Sequence, residues 1–171
     1  NQGSVTFADG TAGDAAYRGA VEYNHTTDKL QFRVGGVANR VTISNAGYID
    51  AAGGAEFAGT ITAQANAVAE IGTLTSAATI TPDFATHCNF TVTLGHNATI
   101  ANPSNLTAGQ SGSIFLVQDS TGSRTAAFGS SWDFAGGTAP TLTTAGGSVD
   151  RIDYIVRSST SIHAVATLNY S

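Results

Sequence analysis

The sequence predicts an all-β protein: a short-stranded trimeric β shaft followed by an antiparallel, jelly-roll-like β-sandwich. Three observations carry this. Apolar and polar side chains alternate along several runs, the period-two pattern of strands with one buried face. Gly-rich turns punctuate those runs at short spacing. Charged residues make up only 11% of the 171 residues, against about 25% in an average soluble domain, and Thr, Ser, Ala, Gly and Asn fill the gap. Disordered chains are highly charged and poor in β-branched residues, the reverse of this composition. Apolar residues reach 42%, enough for a core.

Residues 1–62 form the shaft segment. Short alternating pieces occur at residues 21–23, 30–34, 41–43 and 57–61, interrupted by His25-Thr26-Thr27-Asp28, Gly35-Gly36, Asn45-Ala46-Gly47 and Gly53-Gly54. One copy has too few large side chains to enclose a core, and unpaired strand edges are sticky. Three copies wound about an axis answer both problems, burying Leu30, Phe32, Val34, Val41 and Ile43 against their symmetry mates. Those five are the trimer-interface candidates. A small closed monomeric barrel is the competing arrangement.

Residues 63–71 read as a linker. Ile61, Ala65, Val68 and Gly72 have the spacing of a short helical seam. A helix this short is marginal in water, so it forms only if three copies pack.

Residues 72–171 form the sandwich. Cys88, Phe90, Val92 and Leu94 alternate with Asn89, Thr91 and Thr93, so a strand runs there with one face inward. Ile152, Tyr154 and Val156 repeat the pattern opposite Arg151, Asp153 and Ile155. Ile162, Ala164, Ala166 and Leu168 do so opposite His163, Val165, Thr167 and Asn169. From Ser113 to Val117 both faces are apolar, which suits a central strand or one covered by a partner.

Several function classes are excluded or disfavoured. A net charge of −5 with seven scattered basic residues offers no phosphate-binding patch, so nucleic acid is not an expected partner. No apolar run approaches the roughly 20 residues of a membrane span, so no membrane insertion is expected. One cysteine, Cys88, precludes an intrachain disulfide and a thiolate cluster; at the head of an alternating run it reads as a small buried hydrophobe. His25, His87, His96 and His163 are dispersed, so no metal site is expected. Asp150 and Asp153 face opposite ways on one strand and no second acid accompanies Asp133, so no catalytic residue and no cofactor is assigned. With no methionine and Asn1 first, the chain is expected to be a fragment or a processed product, with no signal peptide.

Contact candidates cluster around the one tryptophan. In Ser131-Trp132-Asp133-Phe134 an indole stands beside polar groups, a usual way to stack on a sugar. A tryptophan ending a short strand also plugs sandwich cores, so both readings stand. Residues 130–135 and 137–144 are the loops expected to carry contacts.

The run Tyr17-Arg18-Gly19-Ala20-Val21-Glu22-Tyr23-Asn24-His25, then Asp28-Lys29-Leu30-Gln31-Phe32-Arg33, Arg40-Val41-Thr42-Ile43 and Gly47-Tyr48-Ile49, resembles a segment common in tailed-phage fibre proteins. It covers roughly residues 11–60. Thr93-Leu94-Gly95, Ala101-Asn102-Pro103, Gly112-Ser113-Ile114, Thr121-Gly122-Ser123-Arg124-Thr125, Phe128-Gly129 and residues 137–142 resemble a C-terminal fibre domain of phage and prophage proteins. The resemblance implies a homotrimeric fibre or spike of the virion, on tail or head, whose tip contacts a host surface glycan or protein. Its upstream partners would be other fibre, baseplate or capsid proteins. No self-cleaving chaperone module is recognisable after Leu168. The alternatives are a stand-alone carbohydrate-binding module and a glycan-cleaving tailspike.

Overall fold

The computed structural model describes residues 1–13, 16, 18–35, 40–51 and 67–170. The chain divides into two compact units, residues 1–64 and 65–171. The described residues of both are mainly β, as expected: they carry fourteen strands, with a short 3-10 turn at Ala135–Gly137.

In the first unit β1 (Gln2–Phe7), β2 (Gly19–Asn24), β3 (Lys29–Val34), β4 (Val41–Ile43) and β5 (Ile49–Ala51) form one sheet in chain order. Every pair is antiparallel, because short turns can only return the chain alongside itself. The β2–β3 turn shows how the sequence sets one. The Asn24 side-chain oxygen accepts hydrogen bonds from the Thr26 and Thr27 amides at 3.0 and 3.2 Å, an Asx turn. Asp28 closes it at φ +50° and accepts the Tyr23 hydroxyl at 2.9 Å. The expected piece at residues 57–61 lies outside the described residues.

The second unit is a two-sheet sandwich. Its larger sheet contains β6 (Ile71–Thr73), β8 (Asn89–Leu94), β10 (Ser111–Gln118), β12 (Trp132–Phe134), β13 (Val149–Ser158) and β14 (Ser161–Tyr170), in the order β12-β14-β13-β10-β8-β6. The smaller contains β7 (Thr79–Ile80), β9 (Ala98–Ile100) and β11 (Ala126–Phe128), with β9 central. The chain therefore winds between the sheets, odd strands joining one and even strands the other, from β6 to β12.

The β-sandwich expectation stands, with antiparallel pairing at β10–β13 and β13–β14, and the winding adds parallel pairs beside them. β6 runs parallel to β8, β8 to β10, β7 to β9, β9 to β11 and β12 to β14. A strand that crosses to the opposite sheet before returning comes back in its original direction, which is the crossover parallel pairing requires. The β13–β14 hairpin is antiparallel and sits between β10 and β12. Period-two alternation is the same in both pairing senses, so the sequence pattern could not separate them. In the single chain residues 67–70 carry no helix, and Ile71 opens β6. Residues 63–66 lie outside the described residues.

One core fills the sandwich. Phe90, Val92 and Leu94 on β8, Ile114 and Leu116 on β10, and Ile152, Tyr154 and Val156 on β13 meet Ile80 and Ile100 of the smaller sheet. The central position of β10, between β8 and β13, fits its two apolar faces. Asp150 and Gln118, two buried polar side chains of the sandwich, are both hydrogen-bonded in place. Asp150, 1% exposed, accepts the Thr143 amide and hydroxyl at 2.7 and 2.8 Å and the Asn169 amide at 2.8 Å. Gln118 exchanges two hydrogen bonds with the Arg124 backbone at 2.8 and 2.9 Å.

Gly112 marks the tightest crossing. A Cβ there would stand 1.7 Å from the Cys88 carbonyl oxygen, which accepts the Tyr154 hydroxyl at 2.7 Å. Gly112→Ala must therefore displace backbone, and we expect it to lower unfolding free energy by at least about 3 kcal/mol in urea titrations.

Burial pushes the Tyr154 phenol well above its usual value of 10.0, with Cys88 adding to the shift. The folded state resists an ionisation that the unfolded chain undergoes near pH 10, so this contribution is complete below that pH and declines as pH rises further. The urea midpoint of the sandwich should be flat to about pH 9 and fall beyond about pH 10. Tyr154→Phe should remove part of that fall.

Candidate functional site

Two surfaces of the described residues expose clustered apolar side chains, one in each unit. The first is a face of the five-stranded sheet. Register places Val5, Val21, Phe32, Val41 and Ala51 in one cross-strand row, and Tyr23, Leu30, Ile43 and Ile49 in the next. Phe7 and Val34 flank Gly19 in a third. Paired residues share a face and alternate residues repeat it, so this face is apolar from edge to edge. The opposite face carries Ser4, Glu22, Gln31, Thr42 and Asp50 in its central row.

All five interface candidates, Leu30, Phe32, Val34, Val41 and Ile43, fall on that apolar face. Val34 is 62% exposed and the other four are half-buried. The sequence reading missed β1 and β5, whose Val5, Phe7 and Ile49 extend the same face at 62%, 59% and 71% exposure. The signal was present in β1, where Val5 and Phe7 alternate with Ser4 and Thr6. Fully burying one such side chain contributes about 1.5–3 kcal/mol, so a partner covering this face has a strong driving force.

The second surface is an open groove of about 480 Å³ across β12, β13 and β14. Asp133, His163 and Ile155 form one cross-strand row, and Val165 and Asp153 lie opposite each other in the next. Ile155 and Val165 are half or more exposed. Asp133 accepts the Ser161 hydroxyl at 2.7 Å. Asp153 accepts the Ser113 hydroxyl at 2.6 Å and pairs with Arg151 at 2.9 Å, which holds the guanidinium pKa above its ordinary value. A second small groove of about 130 Å³ shares Phe134, Ala135, Ala164 and Val165 and reaches Pro140.

The contact candidates divide on this geometry. Trp132 is 6% exposed and Ser131 7%, so neither offers a face to a ligand; that part of the expectation is corrected. The indole N–H donates to the Ala101 carbonyl at 3.1 Å. Its ring meets Phe84, Phe128 and Tyr154 edge-on, with centroids 6.4, 5.9 and 6.0 Å away. Here the plug wins, because the core positions of β12 face the smaller sheet. Asp133 is exposed and Phe134 half-buried, and both line the larger groove. The groove's Ile155 and Val165 were missed as site residues, although two aliphatics stranded on the polar side of their strands were a visible signal.

Among the described residues no three His, Cys, Asp or Glu side chains converge as metal ligands, and no helix is long and apolar enough to cross a membrane. Cys88 is a half-buried free thiol.

Residues 80–157 match a family model described as "Putative phage tail fibre C-terminal domain". No curated protein and no solved structure matches the chain. The match runs from the end of β7 almost to the end of β13 and so takes in most of the wound sandwich. It supports a phage tail fibre, a structural and virion-associated class of protein.

Trp132→Ala should cost about 3–5 kcal/mol, read as a lowered urea midpoint, because it empties an aromatic hub. In the unaltered protein, tryptophan emission should stay blue-shifted until the sandwich unfolds.

Proposed function

We propose that the chain is a non-catalytic, homotrimeric segment of a phage fibre: its first unit forms part of the shaft, and its second is a tip that contacts the host surface. The observation that carries this reading is the apolar face of the five-stranded sheet. Val5, Phe7, Val34 and Ile49 stand more than half exposed on it, and the described rows bring no charge to it. A charged partner finds no complement there, whereas two further copies of the same face do. The family match over residues 80–157 supports the fibre class for the second unit.

Three tips held on one shaft turn weak contacts into firm attachment, because after the first contact the others are effectively intramolecular. The shaft would join upstream fibre, baseplate or capsid proteins, and the tip would present the groove and loops of the sandwich to a host glycan or protein.

Light scattering on the eluted protein tests the assembly. We expect about 52 kDa, three times the 17.3 kDa chain, and a 17.3 kDa particle would sink the reading. Phe32→Asp, which places a charge in the central apolar row, should shift the mass toward that of a single chain while leaving the tryptophan emission of the sandwich unchanged, since burying an unpaired charge costs several kcal/mol.

A further inference from the structure

The geometry points to the groove across β12, β13 and β14 as a saccharide subsite selective for uncharged sugar units. This deepens the reading of the second unit as the host-contacting tip and rests on it. The groove's volume of about 480 Å³ lies within the range of small-ligand sites, about 300–1,000 Å³. Its floor is aliphatic: Ile155 is 50% and Val165 61% exposed. They lie diagonally across the β13–β14 pair, since His163 faces Ile155 and Asp153 faces Val165. A sugar ring has an apolar C–H face and a rim of hydroxyls, and this surface has the complementary plan of an apolar centre with polar groups at its margin.

Those polar groups are acceptor-rich. Each carboxylate has about four lone-pair sites, and Asp133 engages the Ser161 hydroxyl, which leaves capacity for sugar hydroxyls. Charge decides the class of sugar. The Asp153 charge is offset by Arg151 at 2.9 Å. No salt bridge offsets Asp133 among the described residues. Counting histidine as neutral, the groove keeps one uncompensated negative charge, which repels phosphorylated and acidic sugars. Phosphate-rich or uronic-acid units are therefore disfavoured here, and neutral hexose or N-acetylhexosamine units fit.

Methyl-labelled full-length protein provides the test, because the Ile155 and Val165 methyl groups are the floor itself. Maltotriose and chitotriose serve as neutral probes and glucose 6-phosphate as the anionic one. At least one neutral probe should shift both signals saturably, at concentrations that fill a millimolar site, with glucose 6-phosphate weaker by about tenfold or more. Val165→Arg, at an exposed position, should abolish the shifts with the mass unchanged. Asp133→Asn should narrow the gap between neutral and anionic probes. Silence from both neutral probes, or equal binding of glucose 6-phosphate, overturns the subsite. So does loss of self-association in Val165→Arg, which would make the groove a contact between copies. A single-chain particle whose Ile155 and Val165 signals still shift would leave the subsite standing and remove the fibre reading.

Discussion

A sheet one layer thick cannot keep water from its own apolar face, and this constraint governs the first unit. Five strands in simple succession leave Val5, Val21, Phe32 and Val41 in a row with no second layer among the described residues of that unit. Sheets that bury a face do so against something about 10 Å away. The opposite face, with Glu22, Gln31 and Asp50, is suited to solvent. Slipping any pairing by one residue would exchange the faces, so the alternation that builds the sheet also specifies which side must be covered. The register thus sets which face is apolar and which is polar.

The second unit meets the same demand within one chain. By crossing between sheets at every step from β6 to β12, it gives the inward faces of its strands a facing layer, and Ile80 and Ile100 of the small sheet share one core with Phe90 and Ile114 of the large one. Its polar interior is equally self-sufficient. Asp150 ties the loop at Thr143 to the end of β14, and Gln118 ties β10 to the segment at Arg124. A unit that completes its own core can turn its outer surface to other uses. The two units thus differ in how far their described residues bury their own apolar faces.

Much of this was legible in the chain's alternation. Phe90, Val92 and Leu94, then Ile152, Tyr154 and Val156, then Ile162 and Ala164, read as inward positions and lie in the core. Leu30, Phe32, Val34, Val41 and Ile43 read as one interface and share one face. Side-chain direction along a strand follows from backbone geometry alone, which is why these positions needed no knowledge of neighbours.

The pairing of strands is another matter. Whether β8 and β10 run parallel depends on where the intervening chain travels, a long-range choice that local periodicity does not encode. The same limit applies to Trp132: an indole beside Ser131 and Asp133 suits a sugar or a core equally well, and only the position of β12 facing Phe128 and Phe84 made it a plug. The groove exists because β13 and β14 are neighbours, bringing Ile155, Val165 and Asp133 together from three separate strands. By itself the sequence determined the class of structure and the faces of its strands, since both are properties of a residue and its immediate neighbours. Tertiary structure decided the winding, the fate of the tryptophan and the location of the groove, since each is set by contacts between residues distant along the chain.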